Sequence, residues 1–128
     1  MKINIDRNRY MPKVAKKMCE VLMQKYEARA KLFRIMGEPM RLAILDIISC
    51  GEMCACDILE GLTISQSTLS HHMRVLLQAE IVTARKDATW VYYSINPKMV
   101  SELHDILNGI ILPKKNCICE GIKPEDIK

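Results

Sequence analysis

The stretch Ser65-Gln-Ser-Thr-Leu-Ser-His-His-Met-Arg-Val-Leu-Leu77 decides how this chain folds. Leu69, Met73, Leu76 and Leu77 fall on one side of a 3.6-residue period. Ser67, Ser70, His71 and Arg74 fall on the other, with Gln66 beside them. One face is built to pack and the other to meet a partner. Ser65 is the expected N-cap, and Thr63 with Gln66 also fits a capping box.

Toward the N-terminus, Thr63-Ile64 is a tight link, and Asp57 to Glu60 reads as a short helix stopped by Gly61. Glu38-Pro39 opens a longer helix whose Leu42, Ile44, Leu45 and Ile48 are expected in the core, with Cys50-Gly51 ending it. Residues 1–11 read as a loose leader. From Pro12, Val14, Met18, Val21, Leu22 and Tyr26 keep helical spacing, and Leu32, Phe33 and Met36 continue it until Gly37.

Toward the C-terminus, Val82–Arg85 and Thr89–Ile95 are rich in β-branched and aromatic residues, with Lys86-Asp87-Ala88 between them. That pattern is a hairpin. Asn96-Pro97 starts a final helix carrying Met99, Val100, Leu103, Ile106, Leu107, Ile110 and Ile111, and Pro113 ends it. Helix, short helix, link, amphipathic helix and hairpin follow the order of a winged helix-turn-helix, mainly α with a β-hairpin wing. The expected division is 1–29 N-terminal extension and helix, 30–112 DNA-binding domain with a C-terminal dimerisation helix, and 113–128 a cysteine-containing tail.

Composition sets the limits. The 128 residues, 49% of them hydrophobic, suffice for one core. The formal charge of +4 is compatible with a polyanionic partner. The longest apolar run near Leu42–Ile48 is interrupted by Asp46, and the first residues lack the apolar centre of a signal peptide. A cytoplasmic protein with no membrane partner is expected. Paired carboxylates, a nucleophile elbow and a phosphate loop are missing from the sequence, and His71/His72 lack an orienting partner, so no enzyme is expected.

The free face of the Ser65–Leu77 helix carries side chains suited to base edges. Gln66 can fork to adenine, Ser67 and Ser70 can donate or accept, and His71 can donate. Ser65 stands at the start of that face, and Arg74 suits a phosphate. Arg85 and Lys86 near the hairpin tip would hold backbone phosphates, adding affinity without sequence information. The same residues also fit an ordinary solvated face. His72 leans to the apolar side as a half-buried structural residue, and Trp90, Tyr92 and Tyr93 are expected to pack the hairpin. Most of the nine methionines sit at core spacing.

Four of the six cysteines form two Cys-x-Cys pairs, Cys54/Cys56 and Cys117/Cys119. In a reducing compartment such spacing points to metal or redox chemistry rather than a disulfide framework. Thiolates select soft ions, and a thiol near a helix N-terminus is expected to ionise more easily. The alternative is that Cys54 and Cys56 are small apolar residues packing a short helix.

Four segments in order, Gly37-Glu-Pro-Met-Arg-Leu-Ala-Ile-Leu45, Cys54-Ala-Cys-Asp57, Ser65 to Met73 and Val91-Tyr-Tyr93, closely resemble the ArsR/SmtB family of metalloregulators. The resemblance spans roughly residues 30–112. It implies a homodimeric repressor that leaves double-stranded operator DNA when a metal or metalloid binds. It also implies a dimer interface made by the last helix and one from the first region. The box Glu52-Met-Cys-Ala-Cys-Asp57 is similar to the Glu-Leu-Cys-Val-Cys-Asp box of arsenic, antimony, cadmium and lead sensors, so As(III)/Sb(III) or Cd(II)/Pb(II)/Zn(II) is the expected inducer.

Arsenic(III) takes three thiolates, and tetrahedral cadmium or zinc takes four. Arsenic sensors often have a third cysteine three residues after the second, and Leu59 stands there instead. Cys117 and Cys119 on the tail are the expected completing ligands. Cys50 is expected to pack, and Cys19 to lie in the core or an interface. The family's other site, Asp/His pairs across the dimer helix, falls here on Pro97, Met99, Ile110 and Pro113, none of which binds zinc; His104 stands alone. A thiol-redox repressor using the same cysteines is the alternative function.

Overall fold

Each helix begins where the sequence places a cap, and these caps set the positions of everything downstream. A computed structural model describes residues 13–113. Helix α1 spans Lys13–Met36 without a break. Gly37 ends it, and Glu38 caps α2 (Pro39–Ile48) by accepting a 2.9 Å hydrogen bond from the Arg41 N–H, with Pro39 at the first turn. Gly51 turns the chain at φ +152°, a conformation that side chains rarely adopt. Strand β1 (Met53–Cys54) and helix α3 (Ala55–Glu60) follow. Ser65 caps α4 (Gln66–Gln78), its hydroxyl accepting from the Thr68 N–H at 3.2 Å.

Strands β2 (Val82–Asp87) and β3 (Trp90–Ile95) form the hairpin, and Asn96 caps α5 (Pro97–Ile111). The three strands lie in the antiparallel order β1-β3-β2. Ile44, Ile48, Ile58, Leu69, Met73, Leu76, Ile81 and Val82 form the core, so α2, α3, α4 and the hairpin base close on one another. Only the C-terminal turns of α1 join them, through Leu32, Ile35 and Met36. No described helix is long and apolar enough to cross a membrane.

The structure is the expected one, mainly helical with a small antiparallel wing, and five local expectations change. Strand β1 was not foreseen, because two residues carry no alternation; its pairing to β3 creates it. The short helix begins at Ala55, not Asp57. Lys86 and Asp87 belong to β2, so the loop shrinks to Ala88-Thr89, with Ala88 at φ 53° where hairpins favour glycine. Leu42 is 49% exposed, since it sits about 140° round α2 from the Ile44–Ile48 ridge. Cys50, expected to pack, is exposed beyond the last turn of α2, and Cys19 is exposed on α1.

Candidate nucleic-acid interface and thiol site

Burying Leu69, Met73 and Leu76 fixes the rotation of α4 and sends its other face outward. Ser65, Gln66, Ser67, Ser70, His71 and Arg74 are all exposed there. The Ser65 hydroxyl is engaged in the cap and lies 3.0 Å from the Ser67 hydroxyl, leaving Gln66, Ser70, His71 and Arg74 open. His72 turns inward as expected. Its Nδ1 lies 3.7 Å from Glu38 Oε2 and 3.5 Å from Arg41 Nη1, tying α4 to the start of α2. The Arg41 N–H, by donating to Glu38, holds that carboxyl below the usual range.

The two wing cations differ. Lys86 is exposed on β2 opposite Val91. Arg85 is engaged: Nη2 donates to Glu52 Oε1 at 2.5 Å, Nε donates to Glu52 Oε2 at 3.2 Å, and the guanidinium lies 4.7 Å from the Tyr92 ring centre. The ion pair lowers the Glu52 pKa and raises that of Arg85. Nothing near Glu52 in the sequence reveals this role, because the pair depends on sheet register and not on local spacing. Trp90, expected to pack, is 53% exposed at the wing tip. Tyr92 and Tyr93 are half-buried, and burial raises the Tyr93 pKa.

Cys54 closes β1 directly across from Tyr92 and occupies the N-cap position of α3. It is buried, whereas Cys56 on the first turn of α3 is exposed. Their sulfurs stand 2.8 Å apart, so the pair fits a bidentate soft-ion ligand. Contrary to expectation, the Cys56 thiol is raised: its hydrogen bond with Cys54, partial burial, and the charges of Cys54 and Asp57 outweigh the helix end. Among the described residues no group of three or more His, Cys, Asp or Glu side chains is gathered for an ion. Cys117 and Cys119 lie outside the described residues.

A cleft of about 370 Å³ joins these parts. Cys54 and Cys56 open into it, Gln66 and Ser70 of α4 border it, and Trp90 of the wing faces them. The thiol pair, the reading helix and the wing thus share one wall.

Known proteins share this arrangement. Residues 38–84 match the signature described as "Bacterial regulatory protein, arsR family". An arsenical resistance operon repressor of Staphylococcus aureus is 41% identical over 101 residues, covering 79% of this chain and 97% of that protein. The crystal structure of NolR from Sinorhizobium fredii superposes with a TM-score of 0.58 at 31% identity, covering 70% of this chain and 89% of that one. A structure titled possible transcriptional regulator for arsenical resistance gives 0.60 at 26% identity, covering 65% and 86%. The winged helix, the exposed face of α4 and the extent of these matches agree: the chain belongs to the arsR family of DNA-binding transcriptional regulators, and it is not an enzyme.

Proposed function

We propose that this chain is a dimeric repressor that binds operator DNA through α4 and the wing and releases it when a thiophilic ion binds Cys54 and Cys56. The observation that carries the reading is the shared cleft, in which both sulfurs stand beside Gln66 and Ser70. An ion held by both thiolates replaces their mutual hydrogen bond, takes up the positions of two protons, and acts on β1 and α3 together. Since β1 is hydrogen-bonded to β3, that force reaches the wing as well as the reading helix. Two sulfurs leave As(III)/Sb(III) one ligand short and Cd(II), Pb(II) or Zn(II) further short. Cys117 and Cys119, of the same chain or its partner, are the proposed completion.

The test is operator binding followed by fluorescence anisotropy in reductant, titrated with each ion. Ser at Cys54 or Cys56 should leave operator binding normal and abolish release. Ser at Cys117 and Cys119 should weaken release if the tail completes the site. By linkage, operator DNA must lower ion affinity by the same factor that the ion lowers operator affinity. Release from the Cys54/Cys56 double variant would move the switch elsewhere.

The 2.8 Å sulfur separation also favours a second reading, in which a two-electron oxidant converts the pair to a disulfide and releases DNA. A Cys-x-Cys disulfide is strained, which weighs against it. Ion-driven release that persists under full reduction separates the two.

A further inference from the structure

The cleft beside the thiol pair is larger than a bare ion needs, and its wall is mostly apolar. Leu59, Leu69, Met73, Trp90, Val91 and Tyr93 supply most of that wall around a volume of about 370 Å³. An aliphatic and aromatic cavity of about 150 Å³ takes up benzene, so an aryl group fits here beside the sulfurs. Two thiolates satisfy only two of the three valences of trivalent arsenic, and the described residues bring no third sulfur to them. An arsenical that already carries one carbon substituent needs only two.

The geometry points to a site for a monosubstituted trivalent arsenical, R–As(III), with arsenic on Cys54 and Cys56 and R lying in the cleft against Met73 and Trp90. The inference rests on the reading of Cys54 and Cys56 as the inducer site. From R–As(OH)₂, two As–O bonds break and two As–S bonds form, and each hydroxide leaves as water with one thiol proton. Arsenic stays trivalent, and nothing is oxidised or reduced. Covering R and the exposed ring of Trp90 removes apolar surface from water, which adds to the covalent capture. Because Gln66 and Ser70 border the same space, R also stands between the reading helix and the wing.

Phenylarsine oxide, which hydrates to R–As(OH)₂, is the probe, used with the full chain in a phosphine reductant. Trp90 is the single tryptophan of the chain, so its emission reports occupancy of the cleft. With Cys117 and Cys119 both changed to Ser, one equivalent per chain is expected to shift Trp90 emission and lower operator affinity at least ten-fold. No shift, no release, or the same shift with Cys54 and Cys56 both changed to Ser would overturn the proposal. Leu59→Trp, which narrows the cleft, is expected to weaken the phenyl compound about ten-fold and its methyl counterpart less than two-fold; equal effects on both would also overturn it. The parent reading is tested separately by inorganic ions on the unaltered chain. Should those fail while phenylarsine oxide succeeds, the ion response is wrong and this site stands.

Discussion

Arg85 and Glu52 lie 33 positions apart in the chain and meet as a two-point ion pair at the base of the wing, with Tyr92 beneath the guanidinium. The cation best placed to reach phosphate from the wing is therefore held by a carboxylate two residues before Cys54. Operator DNA must compete with Glu52 for Arg85.

A pair this exposed is weak, so DNA should win, at a modest cost in affinity. Glu52→Gln should raise operator affinity roughly two- to five-fold. Arg85→Ala should weaken all sequences alike and flatten the salt slope by about 0.9. An Arg85→Ala slope equal to that of the unaltered chain means Arg85 stays on Glu52 and touches no phosphate.

The open face of α4 predicts a different signature. Ala at Gln66, Ser70 or His71 should cost about 1–3 kcal/mol at defined operator positions and relax preference there. Measuring each variant against a set of single-base operator changes locates the contact. Were Ala at both Ser70 and His71 to leave affinity and preference intact, α4 would not be the reading element.

Assembly should follow from what a single copy leaves in water. Val21 and Met23 on α1 are exposed, and so are Leu107, Ile110 and Ile111 on α5. Faces of this kind mark an interface, and a symmetric dimer matches a palindromic operator. Sedimentation at micromolar concentration should give a dimer, and Ile110→Glu should shift it toward monomer and weaken operator binding. A monomeric unaltered chain refutes the assignment.

Acid should loosen the joint between α2 and α4. The folded-state pKa of Glu38 is depressed, chiefly by the Arg41 N–H, with His72 and Arg41 adding to the effect. A depressed carboxylate contributes stability above its unfolded pKa, and that contribution is lost as pH falls through the lower folded value. In thermal melts, Glu38→Gln should be less stable than the unaltered chain near neutral pH, with the gap closing below the ordinary carboxylate range. A gap independent of pH shows that the carboxylate charge contributes nothing.

Periodicity and caps made much of this legible. Leu69, Met73 and Leu76 repeat at helical spacing, so the orientation of α4 followed from residue order alone, and so did the inward turn of His72. Glu38-Pro39 and Asn96-Pro97 marked helix starts because their chemistry is local. What stayed hidden depends on distant partners. Strand β1 exists because Tyr92 and Tyr93 lie across from Cys54 and Met53, and the Glu52–Arg85 pair follows from the same register. The Cys56 thiol was misjudged for the same reason: the helix end can be read from sequence, whereas a sulfur 2.8 Å away cannot.

The two-residue strand also limits how this sensor can be altered. Side chains along a strand alternate between faces, so inserting or deleting one residue between Glu52 and Cys54 would reverse the sides. The Cys54 thiol would turn away from Cys56, and Glu52 away from Arg85, in a single step. A new ion preference at this site is therefore reachable by exchanging residues in place, as at Leu59, and closed to changes of length. Any transplant of the box into a related scaffold must carry the facing Tyr92–Tyr93 segment with it.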